Sequence, residues 1–302
     1  DSGDPDHLLR HADQAMYLAK QKGKNCYHIF DIKKDVAIKY RNEKLARISR
    51  ALSNNEFELY YQPKIDLTSR KVAGVEALIR WHHPEKGVLP PAEFLPEIER
   101  HTLGVEIGKW VIQAALDQLH EWQVSGSDVA ISINISPLHL QHTSFVSDLK
   151  VCLEQYPDYR PGTLECEIVE SSALNDVDLV SKIIKDCNEL GVDFSIDDFG
   201  VGYSSLVYLK RLPVKYLKID QSFVRDMLVD TDDNAIVQGI IELAKVFNLT
   251  VIAEGVETSQ HSDVLLSLGC HLAQGYGIAR PMPAGKLLPW LAEWTAHPHL
   301  VD

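Results

Sequence analysis

Cysteine is scarce and scattered: Cys26, Cys152, Cys166, Cys187 and Cys270, with no CxxC pair among the five. An odd, dispersed set argues against a disulfide frame or a zinc ribbon and for a reducing compartment, hence a cytoplasmic location. No apolar run reaches the roughly 18 residues that a membrane helix needs, although a longer parent could still be membrane-anchored. Basic residues are in deficit, 30 Lys plus Arg against 43 Asp plus Glu, a formal net charge of −13. A chain this acidic holds duplex nucleic acid poorly, and a phosphate ligand would need metal ions or a few local arginines to draw it in. The 13 histidines form no HExxH and no HxH at a strand end, against a zinc–histidine centre. No signal peptide opens the chain, and it does not start with Met, which reads as a piece of a longer protein. What is present is globular in composition, 45% hydrophobic and 24% charged, which excludes disorder over most of the length.

Residues 1–31 read as the end of another domain. Leu8, Leu9, Ala12, Ala15, Met16 and Ala19 have helical spacing, Asp4 or Asp6 sits near the start, Gly23 is placed to end the helix, and CYHIF (26–30) suits a strand. Such a piece cannot close a core alone. Residues 32–55 are charged and helix-prone, as a linker helix would be, and the main domain is expected over 56–302. There, short runs rich in Val, Ile and Tyr alternate with amphipathic stretches. The runs are 57–63, 71–81, 129–136, 163–171, 192–200, 214–220, 250–256 and 271–277. Helices are expected at Val105–Trp122, Leu138–Tyr156, Val177–Gly191, Ser204–Leu212, Ala235–Asn248 and Ser259–Leu268. This alternation predicts an α/β fold of parallel strands with crossover helices, and about 245 residues is the size of a (β/α)8 TIM-like barrel. Only PKIDLTSR joins the first two runs, too short for a parallel crossover, so the first strand should be antiparallel.

Function in such barrels sits at the C-terminal strand ends. There the runs carry Glu76, Asn134, Glu167, Asp197 with Asp198, Lys218 and Glu254, with Gln274 in the comparable place of the last run. So many charges at one mouth need partners, and divalent cations held by oxygen ligands supply them most simply. Adjacent acids such as Asp197 and Asp198 can serve two ions if one carboxylate bridges, the arrangement of two-metal phosphodiester chemistry. Hard oxygen ligands favour Mg2+ or Mn2+. His82 and His83 before Pro84 read as a polar turn, and Trp110, Trp122 and Trp290 as core. GVGYSS (200–205) lacks the lysine of a P-loop and reads as a mobile loop beside the acid pair.

The residues resemble the EAL family of cyclic di-GMP phosphodiesterases. EALIRW (76–81) carries the tripeptide Glu76, Ala77, Leu78, and YYQP, INIS, EIVE, DDFGVGYSS, KID, AEGVET and QGYGIARP follow in the family's order over about residues 43–296. Residues 1–31 similarly resemble the C-terminal tail of a GGDEF (diguanylate cyclase-type) domain, without its signature loop, so these residues could not make cyclic di-GMP.

The resemblance implies that Glu76, Asn134, Glu167 and Asp197 hold one metal, and that Asp197 bridges to a second held by Asp198 and Glu254. It implies that Lys218 contacts the attacking water or the phosphate, and that Glu254 is a ligand or a base. It implies substrate contacts at Gln62, Glu76, Leu78, Arg80, Asp220 and Gln274, and loop anchoring by Glu170. Val169 stands where the family commonly has Thr, and GVG where GTG is commoner, which touches loop anchoring more than chemistry. The implied reaction is metal-dependent hydrolysis of cyclic di-GMP to pGpG, with Ca2+ inhibitory, a homodimer formed through the barrel, and sensory or GGDEF domains upstream in the parent chain. The alternatives are a receptor that binds cyclic di-GMP without cleaving it, or a glycosidase using Glu167 and Glu254. The latter leaves the Asp pair and Lys218 unexplained.

Overall fold

In the computed structural model, residues 5–21, 32–171, 176–202 and 209–296 are described. The chain divides into two compact units, Asp1–Arg50 and Ala51–Asp302. The first contains helix α1 (Pro5–Gln21), which follows the expected spacing, and most of α2 (Ile32–Ser53). The expected strand CYHIF, Asp4 and Gly23 lie outside the described residues.

In the second unit eight strands close into a barrel. They are β1 (Phe57–Asp66), β2 (Val72–His83), β4 (Ile131–Asn134), β5 (Leu164–Val169), β6 (Asp193–Phe199), β7 (Tyr216–Ile219), β8 (Thr250–Ala253) and β9 (Leu272–Ala273). The strands from β2 round to β9 are parallel. As the short connection requires, β1 runs antiparallel to both its barrel neighbours, pairing Gln62 with Glu76 on β2 and Ile65 with Ala273 on β9. Two short strands were not foreseen. β3 (Gly87–Leu89) extends the hairpin from β2, and β10 (Met282–Pro283) pairs with β1. The turn expected at His82–His83 is therefore the end of β2, where His82 pairs with Glu58.

Helices surround the strands. α3 (Thr102–Val124) buries Leu103, Ile107, Val111, Ala115, Leu119 and Trp122 at steps of three to four, a single apolar stripe, and lies against β4. α5 (Val177–Glu189) is capped by Asp176, and α7 (Thr231–Val246) by Asp230. α6 (Gln221–Asp226), α8 (Ser259–Leu268) and α9 (Ala284–Ala296) complete the ring. The helix expected over Leu138–Tyr156 is two pieces, Pro137–Leu140 and α4 (Phe145–Leu153). Ser144 Oγ bonds Asp148 Oδ2 at 2.6 Å and His142 Nδ1 at 2.8 Å, a local arrangement that competes with a continuous helix. The expected helix at Ser204–Leu212 falls largely outside the described residues. Of the three tryptophans expected in the core, Trp122 is buried, whereas Trp110 and Trp290 are half-buried, Trp290 stacking on the buried Trp294.

Candidate active site

Because successive strand residues alternate faces, one inward position per strand defines each tier of the barrel interior. The upper tier holds the residues singled out at the strand ends. Lys218 Nζ lies at its centre, 2.5 Å from Glu167 Oε2, 2.6 Å from Glu254 Oε1, 3.0 Å from Asp197 Oδ1 and 3.6 Å from Glu76 Oε2. Asn134 Nδ2 donates to Glu76 Oε1 at 2.7 Å, which leaves its carbonyl oxygen as the atom available to a cation. Gln274 Nε2 donates to Glu76 Oε2 at 2.6 Å and to Gln62 Oε1 at 3.0 Å, while Gln62 Nε2 donates to the Ala279 carbonyl. The structure thus brings Gln62, Glu76, Asn134, Glu167, Asp197, Lys218, Glu254 and Gln274 together at one mouth.

A regular strand would point Asp197 and Asp198 to opposite faces. Instead the pairing of β6 with β7 is irregular between Ile196 and Phe199, and Asp198 has φ +53°. A bulge of this kind re-aims a side chain, and Asp tolerates the left-handed conformation better than most residues. Asp197, Asp198 and Glu254 consequently offer oxygens all within 4.8 Å of one another. Gly200 completes the turn at φ +105°, where a Cβ would lie 2.9 Å from Phe223. Glu170 Oε2 accepts from the Gly200 N–H at 3.3 Å, so the expected loop anchor does touch this segment. Tyr203, Ser204 and Ser205 of the same loop lie outside the described residues.

The electrostatics follow from crowding. Burial, then Glu167, push the Glu76 carboxyl up to about 7 against the pull of Lys218. Glu254 is raised well above the usual carboxylate range by burial, with Asp197 and Glu76 adding to it. Asp198, at the exposed rim, is pushed up to about 6 by partial loss of solvent and then by Asp197 and Asp220. Glu167 goes the other way: burial works to raise it, but Lys218 and Lys64 outweigh this and hold it at about 2. Lys218 is raised, because Asp197, Glu167, Glu254 and Glu76 overcome its own desolvation.

Above this tier β1 and β2 rise as a long hairpin. Tyr60 faces Leu78 and Glu58 faces Arg80 in register, on the same face as Gln62 and Glu76. Arg80 stacks over the Tyr60 ring at 5.6 Å and donates to its neighbour's carbonyl. Leu78 and Arg80 therefore line a wall above the carboxylates. Asp220 is spent differently: it caps α6 through Ser222, with its carboxyl beside Asp198. Tyr60 and the exposed Tyr276, under Arg280 at 4.4 Å, are rim aromatics that the sequence did not single out. Gly275, next to Gln274, is required by close approach, since a Cβ there would sit 2.1 Å from the Val256 carbonyl.

The family model described as EAL domain matches residues 45–281. The chain belongs to the EAL family. It is 41% identical over 286 residues to the bifunctional diguanylate cyclase/cyclic di-GMP phosphodiesterase MucR of Pseudomonas aeruginosa, covering 94% of this chain and 42% of MucR. It is 34% identical over 284 residues to the cyclic di-GMP phosphodiesterase PdeR of Escherichia coli, covering 94% of this chain and 42% of PdeR. A solved structure titled as the PaMucR phosphodiesterase in complex with c-di-GMP superposes with a TM-score of 0.78 at 41% identity, over 81% of this chain and 99% of that one. The chain thus spans about two fifths of the length of these curated relatives.

Proposed function

We propose that this EAL domain hydrolyses one phosphodiester bond of cyclic di-GMP to give linear pGpG at the barrel mouth. The observation that carries the reading is an excess of negative charge: five carboxylates, Glu76, Glu167, Asp197, Asp198 and Glu254, gather around Lys218, with Lys64 adding one ammonium 3.5 Å from Glu167, in a chain whose relatives are named for cyclic di-GMP phosphodiesterase activity. The donor set fits two divalent cations. It is all hard oxygen, it includes a three-carboxylate cluster, and among the described residues Gln274 Oε1 is buried without a hydrogen-bond partner. Glu76, Asn134, Glu167 and Asp197 would hold one ion, with Asp197, Asp198 and Glu254 holding the other. Mg2+ or Mn2+ suits the site, and Ca2+ competes without supporting turnover because its coordination is longer and looser. Such ions lower the pKa of water and neutralise charge on the phosphoryl oxygens.

The chain's own groups do the rest. Lys218 donates hydrogen bonds to the attacking water or to a phosphoryl oxygen as negative charge builds on phosphorus. Arg80 and Gln62 grip the phosphate and sugar from the hairpin wall. Gln274 holds Glu76, and through it Asn134, in a fixed orientation. Water adds to phosphorus, the bond to the in-line 3′ oxygen breaks, and that oxygen leaves with a proton. Glu254 acts as a ligand rather than the base. The same reading includes a homodimer through the barrel, sensory or GGDEF domains preceding it in a longer cytoplasmic protein, and residues 1–31 as a GGDEF tail. The alignment to the bifunctional diguanylate cyclase/phosphodiesterase MucR, which extends well before residue 45, supports the last of these, the GGDEF tail.

Incubation of the purified chain with cyclic di-GMP and Mg2+ or Mn2+ tests the proposal by chromatography. Metal-dependent pGpG, abolished by EDTA, is expected. Tight binding without pGpG would identify a receptor, and turnover that survives EDTA would contradict the metal assignment.

A further inference from the structure

Directly beneath the carboxylate ring lies a second polar tier. Two residues below Asn134 is Ser132, two below Glu167 is Glu165, and Lys64 reaches in from the antiparallel β1, two residues along from Gln62. All three are buried, at 1%, 8% and 5% exposure. Lys64 Nζ donates to Ser132 Oγ at 2.9 Å and lies 3.3 Å from Glu165 Oε2 and 3.5 Å from Glu167 Oε1. The residue facing Lys64 on β2 is Gly74, so no side chain competes for the space. A cavity of about 40 Å3 adjoins the group, lined by Lys64, Ser132, Glu165 and Tyr216 among others, with room for about one or two waters.

Stability does not account for this tier. A buried ion pair is commonly no more stabilising than apolar residues of the same volume, and an adjoining cavity forfeits packing. What the tier does have is an ion pair to the ring: Lys64 Nζ lies 3.5 Å from Glu167 Oε1, the oxygen opposite the one held by Lys218 and a buried atom with no hydrogen bond of its own among the described residues. Glu167 thus lies between two ammonium groups, Lys218 in its own tier and Lys64 in the tier below.

We propose that Lys64, held by Ser132 and Glu165, is a positioning residue that fixes the Glu167 carboxylate for cation binding. The proposal rests on the two-cation reading above. Groups that orient a metal ligand typically change affinity by 10–100-fold when removed. The sign separates orientation from bulk charge. Taking a cation away from beneath the ring would, by charge alone, strengthen binding of a divalent ion. Loss of orientation weakens it.

The test is Mn2+ binding to the whole chain, measured by calorimetry for wild type, Lys64→Met and Ser132→Ala, with melting curves for each. Lys64→Met should weaken Mn2+ binding by about 10–100-fold, while the KM for cyclic di-GMP at saturating Mn2+ stays within about twofold. Ser132→Ala should shift affinity in the same direction by less. Unchanged or tighter Mn2+ binding in a folded Lys64→Met chain overturns the proposal. If that variant does not fold, unchanged affinity in Ser132→Ala overturns it. A wild-type chain that binds no Mn2+ would sink the two-cation reading and this inference together. A wild type that binds and turns over beside unaffected variants would sink only the latter.

Discussion

The two tiers of the barrel interior are built on the same strands, two residues apart, yet they treat charge oppositely. In the lower tier Lys64 faces Glu165, and the charges match within the protein. In the upper tier one lysine stands among Glu76, Glu167, Asp197 and Glu254, with Asp198 at the rim. Burial penalises unpaired carboxylates steeply, so a fold keeps such an excess where an external cation balances it. On the proposed reading, the mouth binds the cations and the tier below supports it.

The comparison breaks most severely when the upper tier loses a carboxylate. Glu76→Ala removes an acid bonded to Asn134, Gln274 and Lys218 and should cut pGpG formation by at least about 10³-fold, measured by chromatography, while circular dichroism shows an intact barrel. Lys218→Ala should cost about 10²–10⁴-fold in turnover, the range for removing one donor or proton-transfer group. Without metal it should also melt earlier, because four carboxylates lose their shared cation. Added Mn2+ should recover the melting temperature but not the turnover. Recovery of both would make Lys218 a counter-ion only.

A smaller, graded effect comes from pH. Glu76 at about 7 and Asp198 at about 6 are protonated below those values, and a cation must displace those protons to bind. Apparent Mn2+ affinity should therefore rise with pH through 6 to 7, by roughly tenfold per unit for each proton released, and Glu254, raised well above the usual carboxylate range, extends the rise to higher pH. Without metal the sign reverses: both groups have raised folded-state values, so the stability they contribute is present below about 4 and lost as pH rises through 6 to 7. Thermal melts with and without Mn2+ across that window should diverge. Parallel curves would contradict the assignment.

Much of this was legible in the sequence because it obeys simple periods. Eight apolar runs, one connection too short for a crossover, and a polar residue at the ends of seven of those runs suffice to draw a barrel with a reversed strand and a polar mouth. What escaped is where local geometry departs from the period. Asp197 and Asp198 were expected together at the mouth, but not the means: ideal alternation would turn Asp198 away, and the β6 bulge with its positive φ brings both to one rim. The break between Leu140 and Phe145 rests on a Ser144–Asp148 bond that helical spacing does not encode. The lower tier had a signal that passed unused: Lys64, Ser132 and Glu165 each stand two residues from an expected site residue, the step that keeps a strand residue on the inward face.

The central claim is that the upper tier cages two divalent cations. Calorimetric titration of the purified chain with Mn2+ tests it most directly. Two ions per chain, falling to one or none in Asp197→Asn, the expected bridging position, is the predicted result. No saturable binding to the wild-type chain, or an unchanged stoichiometry and affinity in Asp197→Asn, would contradict it.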